Sequence, residues 1–362
     1  MLLRKRLDPS ILNLPVEKMR TGYYADQDLS QAQEVLLRDG NHPHVLVVVY
    51  QRRQVVVCGT DEAIAILKLC SGCPDENASW VPGWAQLEVM SLYDGERASP
   101  HEPVMTIAGD YALFSQLETD FLGVLARRTR VATNTTAVVE AAGGKPVLFF
   151  PARFDHHLVQ TGDGYAAYIS GALGVGTDAQ GAWWGRPGVA TVPASLIACY
   201  SGDTVLAAEK FAQHLGPDVD LIVSADFTND CAGTALAVAG QLGRRLWGVR
   251  LGTDETMVDR SLLEQMGQFT PTGVNPQLVQ NVRDALDPAG FEHVKIVVAD
   301  HFTPEKIRAF EEAGVPVDAY AVGRYLLQGD FAYYADVVEV NGRPCARAGI
   351  HYHPNPRLSP VT

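Results

Sequence analysis

Residues 294–327, VKIVVADHFTPEKIRAFEEAGVPVDAYAVGRYLL, constrain the fold of this chain more than any other stretch. The β-branched run at 295–299 is long enough for a buried parallel strand and too short for a helix. Thr303 can cap a helix, Pro304 suits its first position, and Ile307, Phe310 and Ala313 recur at helical spacing until Gly314 ends it. Residues 315–322 supply a second strand. A strand–helix–strand unit of this kind is right-handed and builds parallel sheet, and ligands bind beyond the C-terminal ends of such strands. Those two ends carry Asp300-His301 and Gly323-Arg324.

The pattern repeats upstream. Short apolar runs at 147–150, 221–224 and 246–251 alternate with helical periodicity at 164–172, 196–199, 204–214, 231–242 and 276–286. Alternation on this scale implies an α/β fold, a β/α barrel or wound sheet with chemistry at the strand ends. Ahead of it, 45–50 and 54–58 read as a strand pair around Gln51-Arg52-Arg53, 61–70 as an amphipathic helix and 102–107 as a strand, which together predict a small α+β domain. Residues 113–126 and 135–142 read as two helices. Asn341-Gly342 between 336–340 and 344–348 predicts a closing hairpin, and only the final ten residues, HPNPRLSPVT, suggest disorder. The expected domains are 1–115 (α+β), 116–328 (irregular β/α barrel) and 329–362 (hairpin and tail packing back on the first).

Length and charge exclude several roles. A chain of 362 residues, 47% hydrophobic, can bury a large core without staples. A formal charge of −13 argues against nonspecific nucleic-acid binding, so an anionic ligand needs a local cationic pocket. No apolar run approaches the roughly 20 residues of a membrane span, and MLLRKRLDPS lacks the apolar region of a signal peptide, which predicts a cytoplasmic protein. Six scattered cysteines fit reduced thiols. Cys70-Ser71-Gly72-Cys73 has metal or redox spacing, but no second pair stands at zinc-finger distance.

Several words of the sequence resemble the nicotinate phosphoribosyltransferase family, especially its short microbial members: LPVEKMRTGYYAD (14–26), GDYALFSQLETDFLGVLARRT (109–129), KPVLFFPARFDHHLVQTGDGYAA (145–167), GTDAQGAWW (176–184), SGDTVLAAEKF (201–211), LWGVRLGTDETMVDRS (246–261) and KIVVADHFTPEKIRAFEEAGVPVDAYAVG (295–323). The resemblance implies a type II phosphoribosyltransferase-like fold, with a distorted β/α barrel, an N-terminal α+β domain and a short closing segment. It implies a homodimer with shared sites, and joining of nicotinate to phosphoribosyl pyrophosphate for NAD salvage, with Mg2+ and ATP as the family's helpers. Such chemistry needs cations and backbone amides around the phosphates.

The chain departs from the family at working positions. Gly252 stands where a strand-end Asp is expected after VRL. Ala299-Asp300-His301 replaces Ser-Gly-Gly, and Ala321-Val322-Gly323-Arg324 replaces Gly-Val-Gly-Ser or Gly-Val-Gly-Thr. Ala194 stands at the position of the family's active-site His. Thr228 and Asp28-Leu29 are further departures, and residues 133–139 lack basic groups after Asn134. The candidate ligand-binding residues are Tyr23, Arg153, Asp155, Thr177, Arg250, Asp300, His301, Gly323 and Arg324, with Asp226 a candidate metal ligand and no certain cofactor. Arg324 either grips an oxyanion or pairs with Asp300. His301 is either a base or a loop residue, and His156-His157 read as structural. Asp254, Glu255 and Asp259 read as decoration of a helix start. The reading that follows is a family homologue whose ordinary transfer is lost or redirected, binding a pyridine carboxylate, sugar phosphate or nucleotide. The alternatives are an active enzyme with a variant site, in which Arg153, Arg250 and Arg324 supply charge, and an enzyme on a related pyridine or nucleotide.

Overall fold

A computed structural model describes residues 5–215 and 220–362; residues 1–4, the start of the charged N-terminal stretch, lie outside the described residues. The chain forms two compact units, one from residues 1–133 and 329–362, the other from 134–328.

The first unit is built on a six-stranded antiparallel sheet. Its central strand, His44–Gln51, is flanked by Met105–Asp110 and Tyr333–Val340, both antiparallel to it. Residues 54–58 do not fold back on it as expected. Val55–Val56 pairs instead with Arg97–Ala98, because both edges of the central strand are already taken by partners of matching length. The expected strand at 102–107 starts three residues later, past Pro103, whose missing N–H cannot join a ladder. The Asn341-Gly342 hairpin forms with both residues left-handed (φ 48° and 75°), joining Tyr333–Val340 to Arg343–Pro344. The tail is ordered, against expectation. Ser359–Pro360 adds to the edge of Glu88–Ser91, and the buried Asn355 amide donates to Glu102 Oε1 and Pro103 O at 3.0 and 2.8 Å. One face of the sheet buries an apolar cluster that includes Val47, Val49, Ile107, Phe114 and Phe121.

The helix Thr60–Cys70 is almost wholly buried rather than amphipathic. Its acids are paired: Arg6 donates to Asp61 at 2.8 Å and Arg128 to Glu62 at 2.9 Å. The same device corrects the two helices expected at 113–142, which are one 24-residue helix, Glu118–Ala141. Its polar middle looked like a break. It is a set of satisfied polar groups: Arg128 holds Glu62, Thr129 bonds Cys58 and Tyr333, and the Asn134 amide reaches the carbonyls of Tyr325, Leu326 and Gln328.

The second unit is a curled, incomplete barrel of six parallel strands. Their order is Leu221–Ser224, Leu246–Leu251, Lys295–Ala299, Ala319–Val322, Val147–Phe149, Gly174–Val175. Residues 189–192 link the two outer strands, since Val189 donates to Val175 O and Val192 bridges Val223. The strand expected at 315–322 begins to pair only at Ala319: Pro316 has no N–H, and Val317 turns back to Val315 O at 2.7 Å. Leu148, Ile222, Val297, Ala299, Ala319 and Ala321 form the barrel's interior cluster. Among the described residues, no helix is long and apolar enough to cross a membrane.

Candidate functional site

The C-terminal ends of the barrel strands open into a cavity of about 340 Å³. Arg153, Arg250, Asp300, His301, Gly323 and Arg324 all line it, with Phe150, Phe154 and Thr191 completing its walls. The other candidates lie elsewhere. Asp155 accepts from the His156 amide at 2.7 Å, and Thr177 caps Asp178–Gly181 while donating to Gln160 Oε1 at 2.9 Å. Tyr23 belongs to the first unit, where it is exposed beneath the Lys18 ammonium. Ala194 is an exposed first residue of a short helix.

Each lining residue is held by the strand end that carries it. Glycine suits position 323 because an added Cβ would lie 2.7 Å from the Phe154 ring and 3.1 Å from Phe150 O, and would push the ring aside. Phe154 in turn supports the Arg324 guanidinium 5.1 Å above its ring. The Asp300–Arg324 ion pair weighed above is not formed; among the described residues Arg324 has no carboxylate partner. The inner atom of Arg250, Nε, is buried without a hydrogen-bond partner, as is Ser224 Oγ on the adjoining strand.

The loop after Ala299 is unusual. Asp300 and His301 both adopt left-handed backbone, φ 64° and 51°, a conformation that costs most L-residues about 1–2 kcal/mol and suits glycine. His301 Nδ1 sits 3.1 Å from Glu255 Oε1, so Glu255 is a partner of this loop and not a helix-start ornament. Asp259 does start a helix, accepting from Ser261, and also takes the Cys231 amide at 2.9 Å. Lys306 lies over the Phe302 ring at 4.5 Å; burial depresses its ammonium pKa, with Glu255 and Asp300 opposing.

A second consequence of the loop concerns Gly252. A Cβ added there would lie 2.7 Å from Asp300 Oδ2, 2.8 Å from Asp226 Oδ2 and 3.7 Å from Arg250 Nη2. Two carboxylates and a guanidinium therefore converge on the side-chain space that residue 252 leaves empty. Burial raises the Asp226 pKa; Arg250 works against that rise and Asp300 adds to it. Sequence spacing could not show this meeting, because 226, 252 and 300 come from three different strand ends. Nor did it indicate Glu255 or Phe154, whose roles are set by loop shape.

The site can thus hold an anion on the guanidiniums of Arg153 and Arg324, while Arg250 meets Asp300 and Asp226 at the space beside Gly252. Among the described residues no cluster of three or more His, Cys, Asp or Glu forms a metal cage. Asp226 and Asp300 fit a magnesium ion of the kind bound by one or two carboxylates together with a ligand's phosphates.

Residues 33–129 match the family pattern described as quinolinate phosphoribosyl transferase, N-terminal domain. The chain is 28% identical over 263 residues to nicotinate phosphoribosyltransferase pncB1 of Mycobacterium tuberculosis, covering 69% of this chain and 53% of that protein. It is 22% identical to the nicotinate phosphoribosyltransferase of Bacillus subtilis over 66% of this chain and 45% of the relative. The chain spans about half the length of these curated relatives. Among solved structures, nicotinate-nucleotide pyrophosphorylase from Pyrococcus furiosus superposes with a TM-score of 0.77 at 28% identity, over 93% of this chain and 80% of that one. Human nicotinic acid phosphoribosyltransferase gives 0.64 at 19% identity, over 90% and 76%, a likeness of fold.

Proposed function

Because the chain is homologous to the nicotinate phosphoribosyltransferases, with the type II phosphoribosyltransferase fold, we propose that its barrel mouth binds a small anionic ligand while the family's transfer is lost or redirected. In that transfer the pyridine nitrogen bonds to the anomeric carbon of phosphoribosyl pyrophosphate as pyrophosphate leaves. The donor's 5′-phosphate needs close backbone amides.

One observation carries the reading. Asp300, held left-handed at the end of its strand, projects its carboxylate into the space beside Gly252 and faces Asp226. A phosphate seated there would meet two acids, offset by Arg250 beside Asp226 and by Lys306 toward Asp300. Ala194 adds no imidazole from its exposed helix start. The guanidiniums of Arg153 and Arg324, on the far strand ends, favour a carboxylate or phosphate placed away from Asp300. Magnesium, if a phosphate ligand brings it, would rest on Asp226 and Asp300 and supply charge neutralisation.

A second reading has its own support. Because the Asp300 carboxylate occupies the place that a residue 252 side chain would fill, it can stand in for an acid on the neighbouring strand, leaving an active enzyme with a variant site. Titration calorimetry with phosphoribosyl pyrophosphate and nicotinate, followed by a coupled pyrophosphate assay, separates the two. The first reading expects no pyrophosphate release and no micromolar donor binding. Micromolar binding with turnover would overturn it in favour of the second.

A further inference from the structure

The first unit carries its own cleft, of about 320 Å³, on the face of its sheet. The floor is apolar and buried: Val48 and Val338 lie on adjacent strands, with Ile350 packed against them from the segment that follows the hairpin. Tyr50 stands at one wall, buried, stacked on Tyr334 at 5.7 Å and tilted against the His101 ring at 5.5 Å. Its hydroxyl donates to Asp336 Oδ2 at 2.8 Å, and Arg347 approaches the other oxygen of that carboxylate at 3.5 Å. Asp336 is therefore already engaged and partly offset.

The rim is different in kind. Arg52 lies 4.1 Å above the Tyr334 ring and has no carboxylate partner among the described residues. His101, His351 and His353 line the same cleft from two separate segments, and among the described residues none of their ring nitrogens has a hydrogen-bond partner. His101 is brought there by left-handed backbone (φ 64°), its amide donating to Gln51 O at 2.7 Å. In a chain of charge −13, a guanidinium with no carboxylate partner among the described residues, set beside the Tyr50 hydroxyl and three imidazoles, gathers anion-binding donors at one rim.

We propose that this cleft is a second small-molecule site, taking a flat aromatic anion whose ring packs on the apolar floor beside Tyr50 and His101 and whose acid group is held by Arg52 and the rim imidazoles. The geometry suits the class. The volume lies in the range of small-ligand pockets, the floor is apolar with the Asp336 carboxylate already engaged by Tyr50 and Arg347, and Arg52 is oriented by stacking, so little side-chain freedom remains to be lost. A purely inorganic anion would leave the rings and the apolar floor unused.

The test uses the full chain with 13C-labelled histidine, titrated at constant pH with benzoate and, separately, phenyl phosphate. The imidazole resonances of His101, His351 and His353 are expected to move saturably while those of His156 and His157 stay still. Arg52→Gln should weaken the binding read at His101, His351 and His353 about tenfold, the loss of one charge-assisted contact, and Arg38→Gln, at a position lining neither cleft, should leave it unchanged. Circular dichroism checks that Arg52→Gln is folded, and His351→Ala, in an exposed segment, gives an independent loss. Resonances that never saturate, shifts confined to His156, His157 and His301, or equal affinity in Arg52→Gln and wild type would overturn the site.

Discussion

Asp300 and His301 pose the sharpest residue-scale question, two successive side chains in backbone that glycine adopts freely. His301 gains Glu255 in return, an exposed pair worth at most about 1 kcal/mol. Asp300 gains no ion pair and faces Asp226. Asp300→Gly is therefore expected to stabilise the fold by about 0.5–1 kcal/mol in urea denaturation, the relief of strain exceeding glycine's entropy cost. Gly252→Asp alone should destabilise by about 1–3 kcal/mol, since its Cβ would crowd two carboxylate oxygens. Combined with Asp300→Gly the cost should shrink, with a coupling of at least about 1 kcal/mol. Strict additivity would mean that the two side chains do not share the space. The sequence marked 300 and 252 as departures from a family pattern. That they meet each other was invisible, because 48 positions of chain and a parallel pairing separate them.

Elements were legible where hydrophobic period and caps agreed. The strands Leu221–Ser224, Leu246–Leu251 and Lys295–Ala299 and the helices Cys231–Leu242 and Pro276–Leu286 lie where their patterns place them. The misreadings have separate causes: prolines delay the strands expected at 102–107 and 315–322, and elsewhere polar residues that read as boundaries are buried and paired. The long helix at 118–141 shows it best, and its first residue offers a test. Burial, with Asp336 and Asp28 nearby, lifts the Glu118 pKa to about 7. A carboxyl raised in the folded state contributes stability below its unfolded pKa of about 4.5, and that contribution is lost as pH rises through about 7. Glu118→Gln should then gain on the order of 1–3 kcal/mol over wild type at pH 8 and little at pH 4.5, read from denaturation midpoints. In the tail, Asn355→Ala strips two buried hydrogen bonds and should cost about 1–3 kcal/mol, with the Ser359–Pro360 edge strand showing faster amide exchange. An unchanged midpoint would mean that the tail adds nothing to the sheet.

At the scale of the whole molecule, the homodimer that the family resemblance implies is an expectation to be tested. Light scattering is expected to return twice the 39.2 kDa chain mass, and a monomer at micromolar concentration would remove shared sites from consideration. Composition, periodicity and turn chemistry by themselves determined the class of fold, because alternating strands and helices admit few ways to bury their apolar faces. The charge balance likewise set the need for a local cationic pocket. Tertiary structure alone decided what the strand ends do together. A parallel sheet sets residues distant in the chain side by side, so the meeting of Asp226, Asp300 and Arg250 at Gly252 follows from register and loop backbone, which local patterns do not encode.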